Sequence, residues 1–270
     1  MYNDDMGTHQ RQFLYENLYA NTPYDRDVIG YAKHLKNPSL QALIDFYNTW
    51  YVANNMCLLL VGNFNAENAK PLIEQYFGRL KSGNLPARFE YKDQKFPSDK
   101  ARLAVGDMPQ YIWSYKGVPM GHKDELALNF AFSLLNNSHE TGLLDRLMLD
   151  GEVNGSYVSN DERRITGRIM VIGVPYFDMA RRTFDDMKTT QKLIFKEIDK
   201  IKNPNTIPDW LFNSVKEQYY QSNIAMMESR DAKVNILTYS YTYQTPVEDA
   251  LNEAEQIRRL TKEDVAAVAK

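Results

Sequence analysis

Six consecutive apolar residues, Met56-Cys57-Leu58-Leu59-Leu60-Val61, constrain this chain more than any other stretch. The run has no polar alternation and stops at Gly62-Asn63, so both of its faces must be hidden, which suits a central strand under covering helices. Its flanks supply helices. After Asn37-Pro38, Ser39 can cap one in which Leu40, Leu43, Ile44, Tyr47, Trp50 and Tyr51 recur at helical spacing. Beyond the run, Asn65 can cap another with Ala69, Leu72, Ile73, Tyr76, Phe77 and Leu80 on one side. Helix, buried strand and helix in that order predict an α+β fold, a sheet covered by helices in a two-layer sandwich. Cys57, the one cysteine, falls inside the run and is expected to be buried as a small hydrophobe.

The remainder divides around residues 82–100, where Ser82-Gly83-Asn84, Pro86 and Pro97 sit among mixed charges and no apolar period persists. The predicted organisation is therefore residues 1–81 as the closing part of one unit, 82–100 as a linker, and 101–270 as the opening and middle of a second. Before the first unit's helices, Phe13, Leu14 and Leu18 mark the end of a further helix, broken at Asn21-Thr22-Pro23. The second region reads as strands at 102–105 and 111–118, with Tyr111, Trp113 and Tyr115 on one face and Ile112 on the other. One long helix over 124–149 and a core strand over 165–174 follow. After these the pattern is helical, with Phe184, Met187, Ile194, Ile198 and Ile201 in one stripe and Leu211, Val215 and Tyr219 in another. Near the end, Thr261 with Asp264 three residues on forms a variant capping box.

Charge and composition exclude several function classes. The net charge of -3 comes from 32 basic and 35 acidic residues scattered along the chain, so no polybasic stripe exists to neutralise phosphates and nucleic acid is not an expected partner. No apolar run can cross a bilayer, and residues 1–20 are polar and aromatic rather than signal-like, so no membrane insertion is expected. The compartment stays open, with periplasm and cytoplasm both compatible.

Catalytic motifs are missing. The histidines are His9, His34, His122 and His139, and no two of them stand within five residues of each other. There is no H-x-x-E-H, no C-x-x-C, no G-x-S-x-G and no phosphate-cradling glycine loop. His139-Glu140 reads as a solvated loop pair, and the acidic pairs Asp185-Asp186 and Glu253/Glu255 as hydrated helix faces.

Residue order in the first region supplies what the catalytic search does not. Tyr24, Ile29-Gly30, Leu43, Phe46-Tyr47, Trp50-Tyr51, Asn55-Met56, Gly62 and Phe77-Gly78-Arg79-Leu80 together resemble the insulinase/pitrilysin family of zinc metallopeptidases. The second region is similar to the start of that family's next homologous domain, with Leu134-Leu135, Leu143-Leu144 and Arg146-Leu147. The resemblance implies that the intact protein holds zinc and degrades or processes peptides in a chamber between homologous domains. It implies that this chain is a non-catalytic segment with no zinc bound, because the family's H-x-x-E-H helix lies N-terminal to the matching region. A family L-R-x-x-x-G-L-x-Y pattern places Asp150 at the Arg position and Asn154-Gly155 over Gly-Leu. Only Tyr157 is retained, as a candidate substrate-binding residue whose plainer role is packing. The alternatives are a zinc-free scaffold or assembly subunit with the same fold, or a peptide-binding module.

The resemblance also implies partners: peptide substrates, and the remaining domains of the same protein or a homologous subunit. The helices entered at Ser39 and Thr261 read as one element of two successive homologous units, 261 − 39 = 222 residues apart. The strand at 56–61 is then expected to dock in the second region's sheet or to pair with another chain in a swapped homodimer.

Overall fold

The computed structural model describes residues 6–87, 95–98, 100–104 and 108–270. The chain starts with α1 (Met6–Leu18) and a single turn, α2 (Ala32–Leu35), followed by α3 (Leu40–Trp50) and α4 (Ala66–Phe77). As the sequence predicts, Ser39 Oγ accepts from the Ala42 amide at 3.2 Å and Asn65 Oδ1 from the Asn68 amide at 3.1 Å, each satisfying a donor that the first helical turn leaves open.

Between those helices the expected buried strand does not form. Residues 56–61 belong to no strand among the described residues, Leu58 and Leu60 are exposed, and so is Cys57. Leu43, Tyr47, Leu72 and Tyr76 face water as well. The reason is that a strand needs a ladder on its edges and cover on its faces, and the described residues supply neither at that place. The expectation that 56–61 docks in the second region's sheet is therefore overturned for the single chain. The segment is nevertheless held in shape. Ala53 N donates to Lys81 O at 3.0 Å, Asn54 clasps Gly83 through both amide atoms at 2.9 Å, and Val52 is buried beneath.

The second region builds the core. Among the described residues its sheet has three antiparallel strands, β1 (Tyr111–Gly117), β2 (Gly155–Glu162) and β3 (Gly167–Val174), in the order β1-β3-β2. The register sets Trp113 against Val171 and Val171 against Val158 on one face, which packs on α5 (Glu125–Leu135), α6 (Leu143–Leu149) and α7 (Met187–Ile201). Phe130, Leu134, Leu144 and Ile194 are fully buried there. Residues 102–104 form no strand, and Val105 lies outside the described residues.

The long helix predicted over 124–149 is two helices. Asp145, buried at the start of α6, accepts from Gly142 N at 2.9 Å, Asn137 N at 3.0 Å and Asn136 Nδ2 at 2.8 Å, so the backbone donors freed by the break are bonded without continuing the helix. Gly142 is required at the corner, since a Cβ there would stand 2.3 Å from the Leu135 carbonyl oxygen. Phe184 likewise leaves the predicted helical stripe. It belongs to β5 (Thr183–Phe184), paired with β4 (Phe177–Asp178), and α7 starts after Asp186, which caps it by accepting from Thr189 N at 2.8 Å. Asp186 is thus a cap, and Asp185 lies outside the helix.

A helical layer completes the unit: α8 (Asp209–Glu228), α9 (Arg230–Tyr243), α10 (Val247–Leu251), α11 (Glu253–Arg259) and α12 (Lys262–Val268). Leu211, Phe212 and Val215 of α8 enter the core, where Phe212 meets Phe130 edge-on at 5.3 Å between ring centroids. The predicted cap at Thr261 is present, its Oγ1 accepting from Asp264 N at 3.2 Å. Observed and predicted fold class agree as α+β.

Candidate functional site

Tyr157 stands on the sheet face opposite the core. Alternation along the strands aligns three rows there: Ile112, Ile172 and Tyr157; Ser114, Met170 and Ser159; Lys116, Arg168 and Asp161. α1 crosses this face and is tied to its charged row. The Arg168 guanidinium donates to Leu18 O at 2.7 Å, and the Tyr19 hydroxyl donates to Asp161 Oδ2 at 2.8 Å. At the other end Tyr157 is 40% exposed, and its hydroxyl accepts from Gln110 Nε2 at 3.2 Å, with Gln110 bonded to Gln10 of α1. Tyr157 is therefore water-facing and hydrogen-bonded rather than seated in the core. Asp150 ends α6 and is exposed, so no guanidinium stands where the family pattern has its arginine.

Between α1 and β2 lies a cleft of 330 Å³ bordered by Gln10, Tyr15, Ser159, Asp161, Arg163 and Met170. Arg163 is bound to Asp161 at 2.8 Å, donates to the Tyr15 hydroxyl at 3.3 Å, and has the rings of Tyr15, Tyr19 and Tyr24 at 5.6, 5.8 and 5.8 Å. Burial alone would lower its pKa, but the hydrogen bond and charge of Asp161 hold it above the ordinary arginine value. Burial, then Asp161, push the Tyr19 hydroxyl up. Neither group changes charge near neutrality, so the cluster clamps α1 to the sheet and offers fixed hydrogen-bond partners, not acid–base chemistry. The sequence reading passed over it, although Tyr15 and Tyr19 stand four residues apart, and Asp161 near the end of β2 is two residues from Arg163 just beyond it.

A second polar group joins β2 to the helical layer. Glu162 accepts from Asn129 Nδ2 at 3.0 Å and from Asn160, and it shares a hydrogen bond with Glu125, which also accepts from the Tyr239 hydroxyl at 3.0 Å. Burial raises the Glu162 pKa to about 7, and the Glu125 charge adds to the rise. Burial and Glu125 likewise raise Glu253. Two carboxyls in contact cannot both ionise cheaply, which adds to the rise at Glu162.

The zinc implied by the resemblance does not fit the residues present. His139 lies on an exposed loop with Nδ1 beside Ser138 Oγ at 3.2 Å, as the solvated reading predicts, and His122 Nδ1 accepts from Asp124 N at 3.2 Å. Among the described residues no group of three or more His, Cys, Asp or Glu side chains is placed to hold a metal ion, and no helix is long and apolar enough to cross a membrane.

Known proteins place this geometry in context. The chain is 28% identical over 143 residues to the zinc protease PqqE of Helicobacter pylori, covering 50% of this chain and 32% of that protein. It is 25% identical over 185 residues to the mitochondrial-processing peptidase subunit beta of Caenorhabditis elegans, covering 64% and 39%. It thus spans about a third of each curated relative. The crystal structure of a peptidase M16 inactive domain from Pseudomonas fluorescens superposes with a TM-score of 0.76 at 20% identity, covering 99% of this chain and 62% of that one. A family model described as the peptidase M16 inactive domain matches residues 38–219, most of the chain, and the chain belongs to that family.

Proposed function

We propose that this chain is a non-catalytic segment of a zinc metalloendopeptidase that degrades or processes peptides in a chamber between homologous domains. The match of residues 38–219 to a domain described as inactive carries this reading, and the lack of grouped metal-ligating side chains among the described residues supports it. The sheet face under α1 is the part suited to a chamber wall. It presents Tyr157, Ser159 and the polar cleft beside Arg163, which can hydrogen-bond a peptide backbone. In this reading Tyr157 contacts peptide at the margin and takes no part in bond cleavage. Zinc and its ligands belong to another part of the intact protein.

A zinc-free scaffold or assembly subunit of the same fold is the second reading, favoured by the same scarcity of ligands. Elemental analysis and peptide hydrolysis on the intact protein separate the two. The first reading expects about one zinc per polypeptide, activity lost with a chelator, and neither property in residues 1–270 alone. An intact protein with no zinc and no hydrolysis would overturn it and leave the scaffold. One tightly held zinc in residues 1–270 would overturn the placement of the metal.

A further inference from the structure

Three carboxyls from three elements gather where α9 joins the rest of the helical layer: Glu162 ends β2, Glu125 starts α5 and Glu253 starts α11. Glu162 hydrogen-bonds Glu125, and a bond between two carboxyls exists only while one of them carries a proton. Glu125 also holds α9 through the Tyr239 hydroxyl, and it accepts from Gly121 N at 2.5 Å in the loop before α5. That loop packs just past α9, where a Cβ on Gly121 would stand 2.5 Å from Thr245 Cγ2. Glu253 adds its charge from α11, hydrogen-bonded by Asn223 of α8.

The charges that act on Glu162 are those of Glu125 and Asp161, both acidic. Nearby cations are engaged on the α1 side of the sheet, Arg163 with Asp161 and Arg168 with Leu18 O. His122 and Asp124, just before Glu125, pair with each other. The junction is also short of bonds. Among the described residues four buried side-chain polar atoms lack a partner, and three belong here: Asn160 Oδ1 beside Glu162, Asn223 Oδ1 beside Glu253, and Ser240 Oγ, next in sequence to Tyr239. Unmade buried bonds weaken such a joint. Apolar packing on α9 compensates little, since Ser240 is its one buried side chain and Val234, Ile236 and Leu237 are half-buried.

We propose that this junction is a pH-sensitive latch in which protonated Glu162, bonded to Glu125, keeps α9 seated on the start of α5, and deprotonation releases α9 with the turn at 244–246. Once Glu162 ionises, its bond to Glu125 is lost and two carboxylates face each other with Glu253 as a third. Lifting α9, the least anchored neighbour, removes the Tyr239 ring and lets water reach the charges, so the open state favours the ionised form. Burial and Glu125 raise the Glu162 pKa to about 7, which sets the change near neutrality. The latch is therefore closed at low pH and opens as pH rises through 7. Tyr239 and Tyr219 keep their protons across this range, because burial and the same carboxyls push both hydroxyls up.

Amide exchange on the full chain tests this, with protection over 230–246 compared at about pH 6 and about pH 8.5 after correction for the intrinsic pH dependence of exchange. Residues 209–215 of α8, which enter the core, are the internal reference. With a proton bound at a pKa of about 7 in the closed state and 4.5 in the open one, protection of α9 should fall about tenfold between the two conditions. Glu162→Gln keeps a donor and carries no charge, so its α9 should be protected alike at both. Glu125→Gln should behave in the same way, and it serves if the first variant misfolds. Equal protection of the native α9 at the two pH values would overturn the proposal, as would a native-sized fall in Glu162→Gln. A fall that runs equally through 209–215 would overturn it too, since the whole unit rather than α9 would then be opening.

Discussion

Replacing Asp145 with alanine tests the reading of the 136–145 corner as the joint that sets the sheet edge. The carboxylate accepts from Gly142 N, Asn137 N and Asn136 Nδ2. Gly142 is buried, so its amide is left without a partner, while Asn136 and Asn137 are half-buried and recover part of their loss from water. At roughly 1–3 kcal/mol for each stranded buried donor, and less for the other two, the cost is about 3–4 kcal/mol. That is a large share of the roughly 5–15 kcal/mol that holds a domain folded. Urea unfolding followed by circular dichroism would read it as a fall in midpoint of about 1.5–2 M for a slope near 2 kcal/mol/M. The damage should also have a local signature. Asn136 uses its amide as a substitute peptide group against the edge of β2, donating to Ser156 O at 3.0 Å and accepting from Val158 N at 2.9 Å. Asp145→Ala frees that amide, so the Val158 amide should exchange faster, as it should in Asn136→Ala. The two changes act on one network, so their effects should fall short of additivity by about 0.5 kcal/mol or more. A loss below about 1 kcal/mol for Asp145→Ala, or strict additivity, would refute the reasoning.

Other expectations follow from burial and charge. Glu162 has a folded pKa of about 7 against 4.5 when unperturbed, so the folded state holds its proton more tightly and its stabilising contribution, complete below 4.5, is lost as pH rises through 7. Thermal unfolding across that range should show the difference between the native chain and Glu162→Gln narrowing at low pH, and a flat difference would count against the raised Glu162 pKa. Tyr157→Phe in the intact protein should leave turnover within a few fold, because the hydroxyl hydrogen-bonds Gln110, and a loss of about a hundredfold would make it catalytic. In residues 1–270, Phe130→Ala should cost about 3–5 kcal/mol in urea unfolding and Leu43→Ala under about 0.5 kcal/mol, since Phe130 is fully buried and Leu43 is not. Equal costs would mean that α3 is packed in the isolated chain.

Local chemistry was legible in the residues alone. The caps at Ser39, Asn65 and Thr261 form as the sequence predicts, because each bond is made within three residues and needs nothing from the rest of the chain. The strands holding Trp113 and Val171, the stripe through Ile194 and Ile198, and the α+β class follow from apolar periodicity in the same way. Family membership was readable from the order of residues over 24–80. Whatever depends on a partner far along the chain was not. An apolar run such as 56–61 states that it wants neighbours, but only the tertiary structure decides whether they are present, and among the described residues they are not. The break near Asn136 was hidden because Asp145, not a proline or a run of glycines, makes it. The clamp of Asp161, Arg163, Tyr15 and Tyr19 escaped notice because its halves lie 142 residues apart between Tyr19 and Asp161, and only the fold gives two such distant groups the same low-dielectric surroundings in which their bond matters.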